Sequence, residues 1–185
     1  ATIERRDVKA YQSHQRISLE EAAREVRYTF LAAVAKSIGA DRVAVGHTSD
    51  DHIETILMHL IRGTGTRGLR GLQPSIQWQH SGSSLTIIRP LLRISRAENA
   101  GYCHDHQLIF RVDASNLSLS PLRNRIRQQL LPLLQSYNPR VAEALLRTAR
   151  IAGDELAFLG KEARRLWGSV ARRQGDTIIV DKKGL

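Results

Sequence analysis

Apolar and small side chains recur at helical spacing from Ser18 to about Gly39 (Leu19, Ala22, Ala23, Val26, Phe30, Leu31, Val34 and Ile38), which predicts an amphipathic helix with Gly39 as its stop. Ser18 and Glu21 form a capping-box pair at its start, while Glu20, Arg24 and Arg27 suit a solvated face. Arg42 to Gly46 is a short, nearly continuous apolar run of the kind a parallel sheet buries. A second helix is expected from about Ser49 to Ile61, burying Ile53, Ile56, Leu57, Leu60 and Ile61 and ending at Gly63. Leu85 to Ile88 reads as a strand, Ser95 caps a helix running to about His104, and Leu108 to Val112 reads as a last strand. Strands and helices alternating over short connections predict an α/β domain with a mainly parallel sheet flanked by helices. Beyond Asn116 the pattern is helical through about Arg173, punctuated at Pro132 and Asn138-Pro139, with Gly153 and Gly160 as further candidate breaks. Asp176 to Val180 is strand-like again.

Charge narrows the partners. Lys and Arg number 28 against 18 Asp and Glu, a formal charge of +10 over 185 residues, and a surplus of that size points to a polyanion, nucleic acid first. An anionic membrane offers the same charge, but no stretch is apolar enough to span a bilayer and no signal-peptide pattern opens the chain, so a cytoplasmic location is expected. Cys103 is the single cysteine, which excludes an internal disulfide and any metal or cluster site built from several thiolates of this chain. The Cys103-His104-Asp105-His106 run lacks the spacing of a metal site and is read as structural.

The chemically richest stretch is His47-Thr48-Ser49-Asp50-Asp51-His52-Ile53-Glu54-Thr55, which sets acids at the amino end of a helix directly after a strand. In an open α/β sheet that position is the rim of the ligand crevice. Composition alone favours a plainer role, in which acids of a first turn cap the helix and complement its dipole. Arg62 to Leu72 (RGTGTRGLRGL) follows as a mobile basic loop whose glycines permit close backbone approach.

Taken together, GHTSDDHIETILMHLIRGTGTRGLRGL is similar over its whole length to a motif block of the tRNA(Ile)-lysidine synthases, a branch of the N-type ATP pyrophosphatases. Arg111-Val112-Asp113-Ala114-Ser115-Asn116, followed by Arg123-Asn124-Arg125-Ile126-Arg127 and Leu131-Pro132, resembles a second block of that family. Arg89-Pro90-Leu91-Leu92 and Asn138-Pro139 also fit. The resemblance runs from about Ser18 to Pro139. It departs at Leu117-Ser118-Leu119-Ser120, where family members often carry an acid, and in the family's Ser-Gly-Gly-x-Asp-Ser ATP loop, which is found nowhere here. Ser81-Gly82-Ser83-Ser84 is a decoy, since it sits in a polar loop before a strand rather than between a strand and a helix. The expectation is a fragment, or half of a split protein: residues 1–116 the C-terminal part of an adenine nucleotide alpha hydrolase-like domain truncated at its N-terminus, 117–173 a helical tRNA-contacting region, and 174–185 a linker or the start of a further domain.

The resemblance implies a reaction: AMP is transferred from ATP to the C2 oxygen of the wobble cytosine of a CAU-anticodon tRNA(Ile), and the ε-amine of free L-lysine then displaces it. It implies Mg²⁺, with Asp50 and Asp51 as first candidates to hold it, and Glu54 as the helper that holds or deprotonates the lysine. His47 is assigned to the nucleotide, to base catalysis or simply to a backbone hydrogen bond. Arg62, Gly63, Gly65 and Arg67 are assigned to phosphate, and Arg70, Arg123, Arg125, Arg127, Arg147 and Arg150 to tRNA. Arg123, Arg125 and Arg127 cannot all face one way on a helix, so some of them are structural, and Asp113 is an expected partner. Asp113, Ser115, Asn116 and Asn124 complete the motif, and a homodimer is allowed. Rival readings are a sister tRNA-thiolating ATP pyrophosphatase, a non-catalytic RNA-binding module, and a divalent-metal hydrolase using His47, Asp50, Asp51 and Glu54.

Overall fold

A computed structural model describes residues 1–80, 82–110 and 122–181. The chain divides into two compact units, one made of residues 1–49 and 73–100 and the other of residues 50–72 and 101–185.

In the first unit, α1 (Val8–Gln15) and α2 (Leu19–Ser37) precede a sheet of β1 (Arg42–Ala44), β2 (Ser75–His80) and β3 (Ser83–Ile88). Ser18 caps α2 as predicted, its hydroxyl accepting from the Glu21 amide at 3.2 Å. The strand order is β1-β3-β2, with β1 parallel and β2 antiparallel to β3. Leu85 and Ile87 of β3 point to one face, as period two requires, and pack with Tyr28, Ala32 and Ala35 of α2. Tyr28 meets Trp78 edge-on, with ring centroids 5.9 Å apart. On the same unit Tyr11 donates to Glu25 at 3.0 Å and stands 3.2 Å from His80 Nε2, tying α1, α2 and β2 together.

Two expectations change here. The β2 strand was not anticipated, because Ser75-Ile76-Gln77-Trp78-Gln79-His80 alternates around polar residues; it forms as a hairpin arm through the Gly82 turn, whose φ is +77°. β1 was expected to be buried, yet Arg42 and Ala44 are exposed and only Val43 is half-buried, since β1 pairs on one side only among the described residues.

The second unit is helical. Most of α3 (Ser49–Arg62) belongs to it, with Ile53, Leu57 and Met58 packed on Ile126. Ile56 is also buried, but Leu60 and Ile61 are 46% and 54% exposed. The buried stripe therefore takes in Met58 and stops one turn early. A four-residue α4 (Thr66–Leu69) lies within the glycine loop; α5 (Arg96–Asp105), whose first half belongs to the first unit, opens there on a reciprocal box in which Ser95 and Glu98 bond each other. Leu108 to Phe110 form no strand, and the rest of that predicted strand lies outside the described residues.

The helical stretch resolves into α6 (Leu122–Arg125), a π-helical turn (Ile126–Leu130), α7 (Leu131–Tyr137) and α8 (Val141–Val170). Pro132 sits in the first turn of α7, where its missing N–H costs no helical bond. Asn138 ends α7, and its side chain accepts from the Arg140 amide at 3.0 Å before α8 begins. Gly153 and Gly160 do not break α8. The strand-like end is β5 (Thr177–Val180), paired antiparallel with β4 (Ala171–Gln174).

Candidate active site

Asp50 and Asp51 occupy the first turn of α3, half-buried, where the helix dipole favours carboxylates. Thr55, one turn on, turns its hydroxyl back to the Asp51 carbonyl at 2.7 Å. Glu54 lies between them with a side chain only 1% exposed. A carboxylate so desolvated needs a cation at hand, and α6 with the π-helical turn supplies two. Arg127 donates from Nε to Glu54 Oε1 at 2.6 Å and from Nη2 to Oε2 at 3.1 Å, the two-pronged geometry that makes guanidinium-carboxylate pairs strong. Arg123 Nε is 3.5 Å from Glu54 Oε2, and its Nη2 reaches the Thr55 hydroxyl at 3.4 Å. The Glu54 bond holds the Arg127 guanidinium above its ordinary pKa against the opposing effect of burial, and the charges of Asp51 and Asp50 add to it.

The spacing of the three arginines thus acquires a meaning. Arg123 and Arg127, four apart, share the face that grips Glu54, whereas Arg125 is exposed. Asn124 is buried, at 7% exposure. Asp113, Ser115 and Asn116 lie outside the described residues.

His47 belongs to the first unit, and its Nδ1 accepts from Arg89 Nε at 3.2 Å. Arg89 is 4% exposed and also donates to the Gln73 carbonyl at 2.6 Å. Burial pulls its pKa below the ordinary arginine value, Tyr28 opposes that shift, and Arg24 adds to it. Because an arginine Nε only donates, His47 Nδ1 is unprotonated and Nε2 carries the proton. Sequence reasoning registered Arg89 only as part of a matching motif. Arg24 and Arg27 lie on an exposed face as expected, and both guanidinium groups also sit over the Tyr28 ring, at 5.3 and 5.4 Å.

The loop arginines sit where the glycines leave them. Arg62 ends α3 and Arg67 lies in α4, both exposed, while Arg70 is half-buried at the end of α4. Gly63 has φ +76° and Gly65 caps α4. The loop expected to be mobile is fastened: His52 Nε2 is 3.1 Å from the Arg70 carbonyl, and His59 Nδ1 is 2.8 Å from that of Gly68. Those two histidines were missed, although their seven-residue spacing on one helix was a signal. Arg147 and Arg150 are exposed on α8. A cavity of about 570 Å³ in the first unit, between α2 and the β2–β3 hairpin, is lined by none of the predicted site residues.

For a divalent cation, no group of three or more His, Cys, Asp or Glu side chains among the described residues is placed to hold one. Two adjacent carboxylates at a helix start, Asp50 and Asp51, still suit Mg²⁺, which commonly takes one or two protein carboxylates and completes its shell with phosphate oxygens and water.

Residues 2–134 match the model of the PP-loop domain. The chain belongs to the PP-loop family. Its fold is the adenine nucleotide alpha hydrolase-like fold of that family, joined to a helical region. Among curated relatives it is similar to the tRNA(Ile)-lysidine synthase of Dehalococcoides mccartyi (strain CBDB1), at 50% identity over 176 residues, covering 95% of this chain and 37% of that protein. It is similar also to the tRNA(Ile)-lysidine synthase of Geobacter sulfurreducens (strain ATCC 51573 / DSM 12127 / PCA), at 41% identity over 177 residues, covering 94% of this chain and 36% of that protein. The PP-loop chain thus spans little more than a third of the length of these relatives. Among solved structures, the U34-tRNA thiolase NcsA from Methanococcus maripaludis with its [4Fe-4S] cluster superposes with a TM-score of 0.53 at 19% identity, over 71% of this chain and 43% of that one. That likeness concerns the fold. Among the described residues no helix is long and apolar enough to cross a membrane.

Proposed function

We propose that this chain is the core of the catalytic region of a tRNA(Ile)-lysidine synthase, acting on ATP, free L-lysine and a CAU-anticodon tRNA(Ile). The observation that carries the reading is the buried Glu54, held by Arg127 and Arg123 beside the Asp50-Asp51 turn. Helix capping accounts for acids in a first turn, but it does not call for a buried acid one turn on that is held by two guanidinium groups of a second motif.

In this reading Glu54 fixes the two arginines, its carboxylate oxygens being taken up by their guanidinium groups. Asp50 and Asp51 keep the polar tasks at the mouth of the turn: receiving the ammonium groups of lysine and holding Mg²⁺. When bound, Mg²⁺ would neutralise charge on the triphosphate. AMP passes to the cytosine C2 oxygen as pyrophosphate leaves; the neutral lysine Nε then bonds to C2, the C2–O bond breaks with its electron pair going to the departing AMP, and the proton shed by the amine passes to that phosphate or to water. His47, whose ring is held by Arg89, is assigned to the nucleotide. Arg62 and Arg67 serve phosphate, with Gly63 and Gly65 allowing close approach. Arg70, Arg125, Arg147 and Arg150 follow tRNA backbone, a sequence-independent and salt-sensitive contact. Arg123 and Arg127, the grip on Glu54, also edge that surface. Asp113, Ser115, Asn116 and Asn124 are assigned to shaping the second motif. The residue ranges 1–116, 117–173 and 174–185 remain our proposed division of roles.

The test uses the whole polypeptide that carries this chain and follows ATP-dependent incorporation of labelled lysine into a CAU-anticodon tRNA(Ile) transcript beside a single-base anticodon variant. Incorporation confined to the CAU transcript, with AMP and pyrophosphate released, is the expected result. ATP turnover on tRNA without lysine incorporation would overturn the reading in favour of a sister enzyme with another nucleophile. The single cysteine of this chain, Cys103, weighs against thiol chemistry housed here.

A further inference from the structure

The glycine-arginine loop is built against its own preceding helix in a way that neither the mechanism nor the motif explains. His52 and His59 stand two helical turns apart on α3, and each meets a carbonyl of the loop: Arg70 at 3.1 Å and Gly68 at 2.8 Å. A carbonyl only accepts, so His52 donates from Nε2 and His59 from Nδ1. Both bonds survive protonation of the rings, which makes them a fixed latch rather than a pH switch.

The glycines between are fitted to that latch. Gly71 has φ +60°, and a Cβ there would run into the His52 ring and Ile56. A Cβ on Gly68 would collide with the Thr64 side chain. At Gly71 the loop lies against α3 only without a side chain, at Gly68 a Cβ would force the Thr64 side chain to move, and α4 within the loop packs against α8. Among the described residues, none of Arg62, Arg67 and Arg70 has an acidic partner within ion-pair distance. A loop tied down by two hydrogen bonds, whose three cations have no acidic partner among the described residues, is pre-organised for a phosphate-bearing ligand, since part of the ordering entropy of a glycine-rich segment has been met before binding.

We infer that His52 and His59 are positioning residues that hold this loop in the conformation in which its arginines receive phosphate groups, those of ATP or those of the tRNA backbone. The inference rests on the reading of the loop as phosphate-facing, and its test keeps the two apart. In the whole polypeptide, His52→Leu and His59→Leu remove the donors, while His52→Gln and His59→Asn place an amide N–H near Nε2 and Nδ1 respectively. The readouts are amide hydrogen exchange over residues 63–72, and separate KM values for ATP and for tRNA with kcat.

The leucine variants are expected to exchange faster in the loop and to raise one KM about tenfold, as lost pre-organisation predicts, with kcat held; the amide variants restore both. Whichever KM rises identifies the source of the phosphate. Unchanged exchange in the leucine variants would overturn the latch. Faster exchange with both KM values unchanged, while Arg62→Ala, Arg67→Ala and Arg70→Ala raise a KM, would overturn the positioning role and leave the loop reading standing. If the arginine variants also leave both KM values unchanged, the loop does not face phosphate and the inference falls with that reading.

Discussion

Arg127 closes on Glu54 with both prongs of its guanidinium, at 2.6 and 3.1 Å, around a carboxylate that is 1% exposed. The pair joins the second motif of the chain to the first across 73 residues of sequence. It is asymmetric: the acid is fully buried, whereas Arg127 keeps a quarter of its side-chain surface in solvent.

That asymmetry predicts unequal costs. Arg127→Leu leaves the buried Glu54 without its two-pronged partner, and is expected to destabilise the protein by about 3 kcal/mol. Glu54→Gln removes the charge that needs compensation and should cost less. Urea denaturation of both variants checks the order; a reversed order would mean that the buried carboxylate is stabilised by something other than Arg127. In the lysine-incorporation assay, Asp51→Ala is expected to lose at least about a hundredfold in turnover.

Arg89 fixes the tautomer of His47. Nitrogen NMR should show His47 protonated at Nε2 alone, and Arg89→Met, which removes the donor to Nδ1, should bring in the Nδ1–H form. A wild-type protein already populating both tautomers would refute this hydrogen bond in solution.

Two glycines of the same loop separate conformational strain from crowding. Gly63 has φ +76° with open space where a Cβ would sit, so Gly63→Ala carries the left-handed penalty alone, about 1–2 kcal/mol. Gly71→Ala adds a collision with His52 and Ile56 and should cost roughly 1–3 kcal/mol more. Equal midpoints in urea for the two variants would contradict the packing of the loop on α3.

The start of α5 is acid-sensitive. The Ser95 hydroxyl and then its amide draw the Glu98 carboxyl below its ordinary value, so the folded pKa is the depressed one. The contribution of this cap is complete above the unfolded pKa of about 4.3 and is lost as pH falls through the lower folded pKa. Ser95→Ala, which removes the hydroxyl but keeps the amide donor, should move the Glu98 titration, followed by carboxyl NMR shifts, part of the way up towards its ordinary position; an unmoved titration would show that the box is open in solution.

Periodicity in the sequence was enough to set out α2 and α3 and the Ser18 and Ser95 caps, because these depend on side chains within one or two turns. The same local view placed Asp50, Asp51 and Glu54 on a helix start and recognised that Arg123, Arg125 and Arg127 must divide between two faces. Which face does what was decided by tertiary structure alone. Glu54 meets Arg127 only when segments 73 residues apart pack together, and no local pattern encodes that desolvated pairing. For the same reason β2 escaped notice, since its polar alternation becomes a strand only through pairing with β3, and β1, apolar enough to look buried, leaves Arg42 and Ala44 exposed because it pairs on one side only among the described residues. The glycine loop shows the division most clearly: its composition declares backbone freedom, and only the carbonyl bonds from His52 and His59 take that freedom away.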